Sequence, residues 1–137
     1  MVKFPSTEWA NAAQTVLNES ETFKQAARKW DGDFLFIIEK NNELTSNLNF
    51  YFQVTRGDCS GAQFIDEERE VTCALSGSYP IWKKVLNNKL TNKESNFLSY
   101  VIKEKMKLLG DMSLIMRNIS LLKIITNLLS SIESDTA

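Results

Sequence analysis

The run Phe34–Ile38 places five apolar residues in succession and constrains the fold more than any other feature of this chain. In an extended strand, successive side chains point to opposite faces of a sheet. Phe34, Phe36 and Ile38 therefore share one face, and Leu35 and Ile37 share the other. Two apolar faces are typical of a strand that is covered on both sides, so the run predicts the central strand of a sheet.

Further strands are predicted where apolar and polar residues alternate. In residues 48–55, the inward side chains are Leu48, Phe50, Phe52 and Val54, and the outward ones are Asn49, Tyr51, Gln53 and Thr55. Residues 56–61 are predicted to form a loop. Val71, Cys73 and Leu75 are expected to share one face of a third strand, and residues 105–108 alternate lysines with apolar residues in a short final strand.

Apolar residues at helical spacing predict helices before and after these strands. The first helix is capped by Ser6 or Thr7, and the second ends at Asp31-Gly32. A third has Pro80 in its first turn, where the missing N–H of proline costs nothing. A fourth contains the apolar positions of the segment 97–102.

The C-terminal region from Leu114 to Ile132 carries one long apolar stripe, which Asn118 interrupts. A bare amide at a core position is costly without a hydrogen-bond partner. We therefore expect the helix to break or kink between Asn118 and Ser120.

Strands that are grouped together and bracketed by helices predict an α+β fold with the helices gathered on the sheet. A chain of 137 residues suits a single domain, residues 1–137, because domains usually have roughly 100–200 residues. Residues 133–137 are polar and are predicted to be a frayed tail.

The chain contains no histidine, which excludes several classes of active site. Histidine is the usual general base near neutral pH and the commonest metal ligand, so Ser-His-Asp and Cys-His schemes and His-based zinc sites are ruled out. We predict a protein that is not an enzyme and has no metal or cofactor. The net charge of −1 provides no bulk field to hold a nucleic acid.

Compartment and membrane relation follow from two further features. Cys59 and Cys73 could pair only if their strands lie together, and two reduced, buried thiols are the favoured alternative. Residues 1–6 lack the apolar stretch of a secretory signal, and the C-terminal apolar region is too interrupted to span a bilayer. The sequence therefore predicts a cytoplasmic location; it does not predict the oligomeric state.

Two patterns leave open both a structural and a functional interpretation. Lys103, Lys105 and Lys107 are typical of the solvated face of a strand, but they could also meet an anionic head group. Long, adaptable side chains late in the chain could form a pocket for a flexible apolar tail or could simply be core; they are Phe97, Tyr100, Met106, Met112 and Met116.

Several segments resemble the sterol carrier protein type-2 family. They are Trp30-Asp31-Gly32-Asp33-Phe34, Phe50-Tyr51-Phe52, Trp82-Lys83-Lys84-Val85-Leu86 and Lys105-Met106-Lys107-Leu108-Leu109-Gly110-Asp111-Met112. The last is similar to the family's Gly-Lys-Leu-Lys-Ile-Lys-Gly-Asp segment. Two departures occur: Glu104 stands where the family has its first glycine and Leu109 where it has a lysine, so the turn into the last strand is expected to differ.

The resemblance implies a five-stranded, mostly antiparallel sheet with helices packed on one face and an apolar cavity between them. It also implies noncovalent carriage of a long-chain lipid, such as a fatty acid, a fatty acyl-CoA or a sterol-like or isoprenoid molecule, with transient membrane contact. The alternative is a structural or protein-interaction domain with a closed core and no lipid ligand.

Mapped by motif, the implied lipid-binding residues divide into a sheet wall and a helical lid. The sheet wall would be Phe52, Val54, Leu75, Met106 and Leu108, and the lid Trp82, Phe97, Val101, Met112, Ile115, Met116 and Leu122. Specificity would need polar groups at the mouth of the cavity, because apolar walls discriminate poorly between similar tails. Arg117 and Asn118 are the candidates, since they interrupt the apolar stripe.

Overall fold

The structure is a computed structural model that describes residues 2–4, 6–40, 47–65, 67, 69–86, 97–132 and 134–135. Its strands are β1 (Val2–Lys3), β2 (Asp31–Glu39), β3 (Leu48–Thr55), β4 (Asp58–Ile65), β5 (Cys73–Ser78), β6 (Met106–Gly110) and β7 (Ser134–Asp135). Its helices are α1 (Thr7–Asn18), α2 (Glu21–Ala26), α3 (Tyr79–Val85), α4 (Phe97–Ile102), α5 (Met112–Arg117) and α6 (Ile119–Leu129).

The main sheet has five strands in the order β4-β3-β2-β5-β6. Only the central pair, β2 and β5, is parallel, and the other three pairs are antiparallel. The predicted α+β fold with a five-stranded, mostly antiparallel sheet is therefore confirmed. Strand β2 lies at the centre of the sheet, as the run Phe34–Ile38 predicts.

One face of the sheet carries all of the described helices that contribute to the main core. Phe34, Phe36 and Ile38 point to this face and share one hydrophobic cluster with buried residues of α1, α2, α3, α5 and α6. Leu35 and Ile37 are buried on the opposite face in a smaller cluster. Both faces of β2 are thus covered, and the helical layer on one side defines where an internal cavity can form.

Strand β4 corrects the prediction of a loop at residues 56–61. Only Arg56 and Gly57 form the turn, both with positive φ (49° and 84°), and Thr55 pairs with Asp58. A two-residue turn with two positive φ angles is the hairpin connection that matches the twist of a sheet. The strand was missed because β4 is an edge strand with a weak apolar alternation.

Val71 also departs from the prediction. It packs with the smaller cluster on the sheet face opposite the helices, whereas Cys73 and Leu75 belong to the main core. The backbone bends at Thr72 before β5 begins. The bend breaks the alternation, so residues 71 and 73 lie on opposite faces.

The helix ends follow the sequence closely. The Ser6 side chain accepts a hydrogen bond from Trp9 N and caps α1, and Pro80 lies in the first turn of α3. The predicted break in the C-terminal region is confirmed: Asn118 separates α5 from α6 with φ −120° and ψ 25°. Of the predicted frayed tail, residues 133, 136 and 137 lie outside the described residues, and Ser134–Asp135 pair with β1.

The turn before β6 shows the effect of one departure from the family pattern. Glu104 adopts φ 61°, in the left-handed region that glycine enters more easily than any residue with a Cβ. The glutamate is exposed. A non-glycine residue therefore occupies a glycine-like conformation at the position where the family has glycine.

Candidate functional site

A small pocket lies between the sheet and the corner where α5 meets α6. Its walls are Trp30, Phe34, Cys73, Ile115, Asn118, Leu121 and Leu122. The cavity volume is about 10 Å³, which is room for about one water molecule. The pocket is therefore nearly filled by the protein's own side chains.

Stacked aromatic rings form the sheet side of the pocket. The ring centroids of Trp30 and Phe34 are 5.0 Å apart, and those of Phe34 and Phe52 are 5.1 Å apart, with nearly parallel planes in both pairs. The indole Nε1 of Trp30 donates to the Gly32 carbonyl oxygen at 3.3 Å. This wall is rigid, because each ring is held by packing and the indole also by a hydrogen bond.

The helical side depends on the break between α5 and α6. The Asp111 side chain caps α5 by accepting from Leu114 N at 3.1 Å, and Nδ2 of Asn118 donates to the Leu114 carbonyl oxygen at 2.9 Å. The amide that would be costly in a continuous helix thus finds a backbone partner at the helix end. It is also the one polar side chain in the described pocket wall.

The two candidates for polar groups at the mouth are therefore in different positions. Asn118 lines the pocket and is half-buried. Arg117 is exposed, and its Nε donates to the Ser113 carbonyl oxygen at 3.3 Å within the same helix. Only Asn118 lies where a molecule inside the pocket would touch it.

The twelve predicted lipid-binding residues fall into several groups. Ile115 and Leu122 line the pocket. Five others are fully buried in the main core, namely Phe52, Val54, Leu75, Trp82 and Met106. Val101 and Leu108 are half-buried against that core, Met112 and Met116 are exposed, and the Phe97 side chain lies outside the described residues. Contact of these residues with a lipid stays a prediction.

The space beneath α3 is filled by aromatic side chains. Phe36 contacts Phe52 and Trp82, with centroid distances of 5.1 Å and 4.9 Å. The Trp82 indole Nε1 donates to the Ile37 carbonyl oxygen at 2.9 Å, so its polar atom is satisfied inside the core. The predicted sheet wall and Trp82 are therefore packed together in this structure.

Sequence reasoning missed four of the seven pocket residues. Trp30, Phe34, Cys73 and Leu121 were assigned to apolar faces but not to a site. Their spacing gave a usable signal, since all four face the helical layer. No pattern in the sequence shows which residues of that layer fail to fill the space between them.

The two cysteines are free thiols, as the favoured interpretation predicted, and both are buried. Cys59 lies in β4 and Cys73 in β5, with two strands between them, which is too far for a disulfide bond. Burial raises the pKa of the Cys73 thiol to about 12. Burial also raises the pKa of the Cys59 thiol to about 11.

These pKa values predict a loss of stability in alkali. Above the ordinary thiol pKa of 9.0, the unfolded chain releases protons that the folded chain still holds, so rising pH favours unfolding. The free energy of unfolding should fall by about 1.4 kcal/mol per pH unit for each thiol from about pH 9 to about pH 11. Urea denaturation at about pH 8 and about pH 10 measures the fall.

The double variant Cys59→Ala/Cys73→Ala is the control for this prediction. It should lower the free energy of unfolding at both pH values, because two buried side chains are shortened. The difference between the two pH values should be clearly smaller than in the unmodified protein. An equally steep fall in the double variant would assign the alkaline effect to groups other than the thiols.

Two other classes of site were considered. Nowhere in the described ranges do three or more histidine, cysteine, aspartate or glutamate side chains form a group that could hold a metal ion. Among the described helices, none combines the length and the apolarity needed to cross a membrane.

Comparisons with solved structures show the fold. A crystal structure of sterol carrier protein 2 has a TM-score of 0.84 at 19% identity, over 96% of this chain and 100% of that one. The solution structure of a conserved hypothetical protein from Thermus thermophilus, described as possibly a sterol carrier protein, has a TM-score of 0.80 at 19% identity, over 100% and 94%. A UbiJ-SCP2 ubiquinone synthesis protein has 0.55 at 9% identity, over 91% and 90%.

Sequence comparison shows the family. No curated protein sequence matches the chain significantly. The sequence profile of the SCP-2 sterol transfer family matches residues 10–123, which include β2 to β6 and the first part of α6. On the strength of that match over most of its length, the chain belongs to the SCP-2 sterol transfer family.

Proposed function

We propose that the protein binds a long-chain lipid noncovalently and carries it in an apolar cavity between the sheet and the helices. The observation that carries the proposal is the pocket wall: its lining is apolar apart from the Cys73 thiol and the Asn118 amide. Membership in a sterol transfer family supports the same class of ligand. A fatty acid, a fatty acyl-CoA or a sterol-like or isoprenoid molecule fits this description.

Binding such a ligand requires the pocket to open. The cavity of about 10 Å³ compares with roughly 300–1,000 Å³ for ordinary ligand pockets. Helix α5 is the wall best suited to move, because it has only six residues and Ile115 is its buried residue. Gly110 and Asn118 lie at its two ends in non-helical conformations, so both can act as hinges.

In the open form, the lipid replaces contacts that the protein now makes with itself. Each methylene removed from water contributes roughly 0.8 kcal/mol, and a chain of about ten methylenes therefore offsets the loss of contacts around α5 with several kcal/mol. The predicted lining residues on β3, β5, β6 and α3 then lie at the deep end of the cavity. Phe97, Val101, Met112 and Met116 complete the lid, and Asn118 faces the polar end of the lipid.

Two measurements on the purified protein test the proposal. Native mass spectrometry should show a co-purifying lipid, and a fluorescent fatty acid such as cis-parinaric acid should bind saturably. Because Trp30 stacks on Phe34 in the pocket wall, bound parinaric acid should quench Trp30 emission by energy transfer. The variant Trp30→Phe should lose most of this quenching and keep the parinaric acid fluorescence of the complex.

The alternative function, a structural or protein-interaction domain without a lipid ligand, is favoured by the small cavity and the filled aromatic core. Folded protein that is free of lipid in native mass spectrometry and ignores the fluorescent fatty acid would support this alternative and overturn lipid carriage. A cytoplasmic location stays a prediction, and the reduced thiols are compatible with it.

A further inference from the structure

Large apolar side chains are exposed at one edge of the molecule. Within the described residues, the exposed large apolar side chains are Ile102 (80% exposed), Leu109 (47%), Met112 (44%) and Met116 (50%). They lie on α4, β6 and α5, which follow each other along the chain. We call residues 102–117 the docking edge.

The docking edge runs along the last strand of the main sheet. Strand β6 pairs with β5 on one side only, with α4 before its first residue and α5 after its last. Met112 and Met116 are four residues apart in α5 and so share one helix face, opposite the buried Ile115. Leu109 alternates with the half-buried Leu108 and so lies on the sheet face opposite the helices.

The charge of the docking edge differs in sign from that of the rest of the chain. It contains four basic and two acidic residues, a net charge of +2, whereas the whole chain has a net charge of −1, so the remainder carries −3. The four cations, all exposed, are Lys103, Lys105, Lys107 and Arg117. Of the two acids, Asp111 accepts a hydrogen bond as the α5 cap.

We infer that the docking edge binds the surface of an anionic lipid bilayer. Exposed apolar side chains interleaved with lysine and arginine are typical of surfaces that insert into the interface of a membrane while their cations meet anionic head groups. The negative remainder of the chain is repelled by the same surface, which orients the molecule with α5 toward the lipid. The inference goes beyond the proposed function and needs no ligand in the pocket, although it would bring the pocket wall to a source of lipid.

Sedimentation with vesicles tests the inference. The protein should bind vesicles of phosphatidylcholine mixed with phosphatidylserine, bind pure phosphatidylcholine far more weakly, and dissociate as the ionic strength rises. Lys105→Gln/Lys107→Gln should weaken binding about fivefold or more for each lysine. Met112→Gln/Met116→Gln should weaken it as well, because two inserted apolar side chains become polar.

The matched control is Lys24→Gln/Lys29→Gln, which removes the same charge from two exposed lysines on α2 and just after it. It should bind the mixed vesicles as well as the unmodified protein does. Each variant is also centrifuged without vesicles, because lysines on an edge strand discourage aggregation.

Three results would overturn the inference. They are no binding to the mixed vesicles, equal weakening by the control pair, and a dimer in solution that Met112→Gln/Met116→Gln converts to a monomer without changing vesicle binding. The last result would assign the docking edge to a second copy of the chain. Parinaric acid binding in the absence of vesicles is measured in parallel, so that a failure of docking and a failure of lipid carriage are distinguished.

Discussion

Gly110→Ala is expected to lower the free energy of unfolding by about 3 kcal/mol or more. Gly110 has φ +121°, a conformation that residues with a Cβ rarely adopt. A Cβ at this position would also overlap the carbonyl oxygen of Thr72. That oxygen accepts a hydrogen bond from Asp111 N at 3.3 Å, so the substitution would disturb both the end of β6 and the start of α5.

Thr72 has little freedom to move away from a new Cβ. Its backbone N–H donates to Oδ1 of Asp33 at 2.9 Å, and its hydroxyl donates to the same oxygen at 3.2 Å. Oδ2 of Asp33 accepts in turn from the Tyr51 hydroxyl at 2.9 Å. Because the neighbour is fixed in this way, the overlap must be relieved by moving β6 itself.

Urea denaturation of Gly110→Ala and Gly61→Ala measures the effect against a matched control. A Cβ at Gly61 in β4 would have no neighbour within 4 Å, so Gly61→Ala should change the free energy of unfolding by less than about 0.5 kcal/mol. Equal losses in the two variants would contradict the close approach of Gly110 to Thr72.

The same contacts give a physical reason for part of the family resemblance. A Cβ at Gly32 would lie 2.8 Å from the Thr72 hydroxyl oxygen, and Asp33 binds that residue directly. Gly110 and Asp111 approach it from β6 and α5. The segment that enters β2 and the segment that leaves β6 thus meet at Thr72, although they are about eighty residues apart in sequence.

Features that depend on local periodicity could be predicted from the sequence. The two apolar faces of Phe34–Ile38 identify the central strand, and Asn118 within an apolar stripe marks the end of α5. Strand β4 could not be predicted in this way. As an edge strand with Ser60, Gly61 and Gln63 exposed or half-buried, it has almost no apolar alternation to detect.

The candidate site was less predictable than the fold. Ile115 and Leu122 were assigned to a lid, and both line the pocket. Met112 and Met116 were assigned to the same lid, yet they are exposed on the outer side of α5. Apolar character alone does not distinguish a residue that faces a cavity from one that faces solvent, because that choice depends on how a short helix is rotated against the sheet.

Leu122→Ala is expected to tighten the binding of a fatty acid at least about tenfold while it lowers the free energy of unfolding by about 3 kcal/mol. Leu122 lines the pocket and is buried, so its side chain stabilises the closed form in the space that the lipid needs. The apparent dissociation constant of a ligand rises as the fraction of protein in the binding-competent form falls. Truncation of Leu122 destabilises the closed form, and a bound lipid refills the space.

Leu35→Ala is the matched control, because it removes the same atoms from a buried leucine on the opposite face of the sheet. It should cost a similar free energy of unfolding and leave fatty acid affinity unchanged, since the second face has no part in the proposed cavity. Titration of both variants and the unmodified protein with parinaric acid, alongside urea denaturation, separates affinity from stability. If Leu122→Ala and Leu35→Ala change the affinity equally, or if Leu122→Ala weakens binding, the lipid does not occupy the pocket beneath α5. If the affinity rises in Leu122→Ala alone, the closed pocket is a self-filled lipid site, and the small cavity of the structure is the resting state of a carrier.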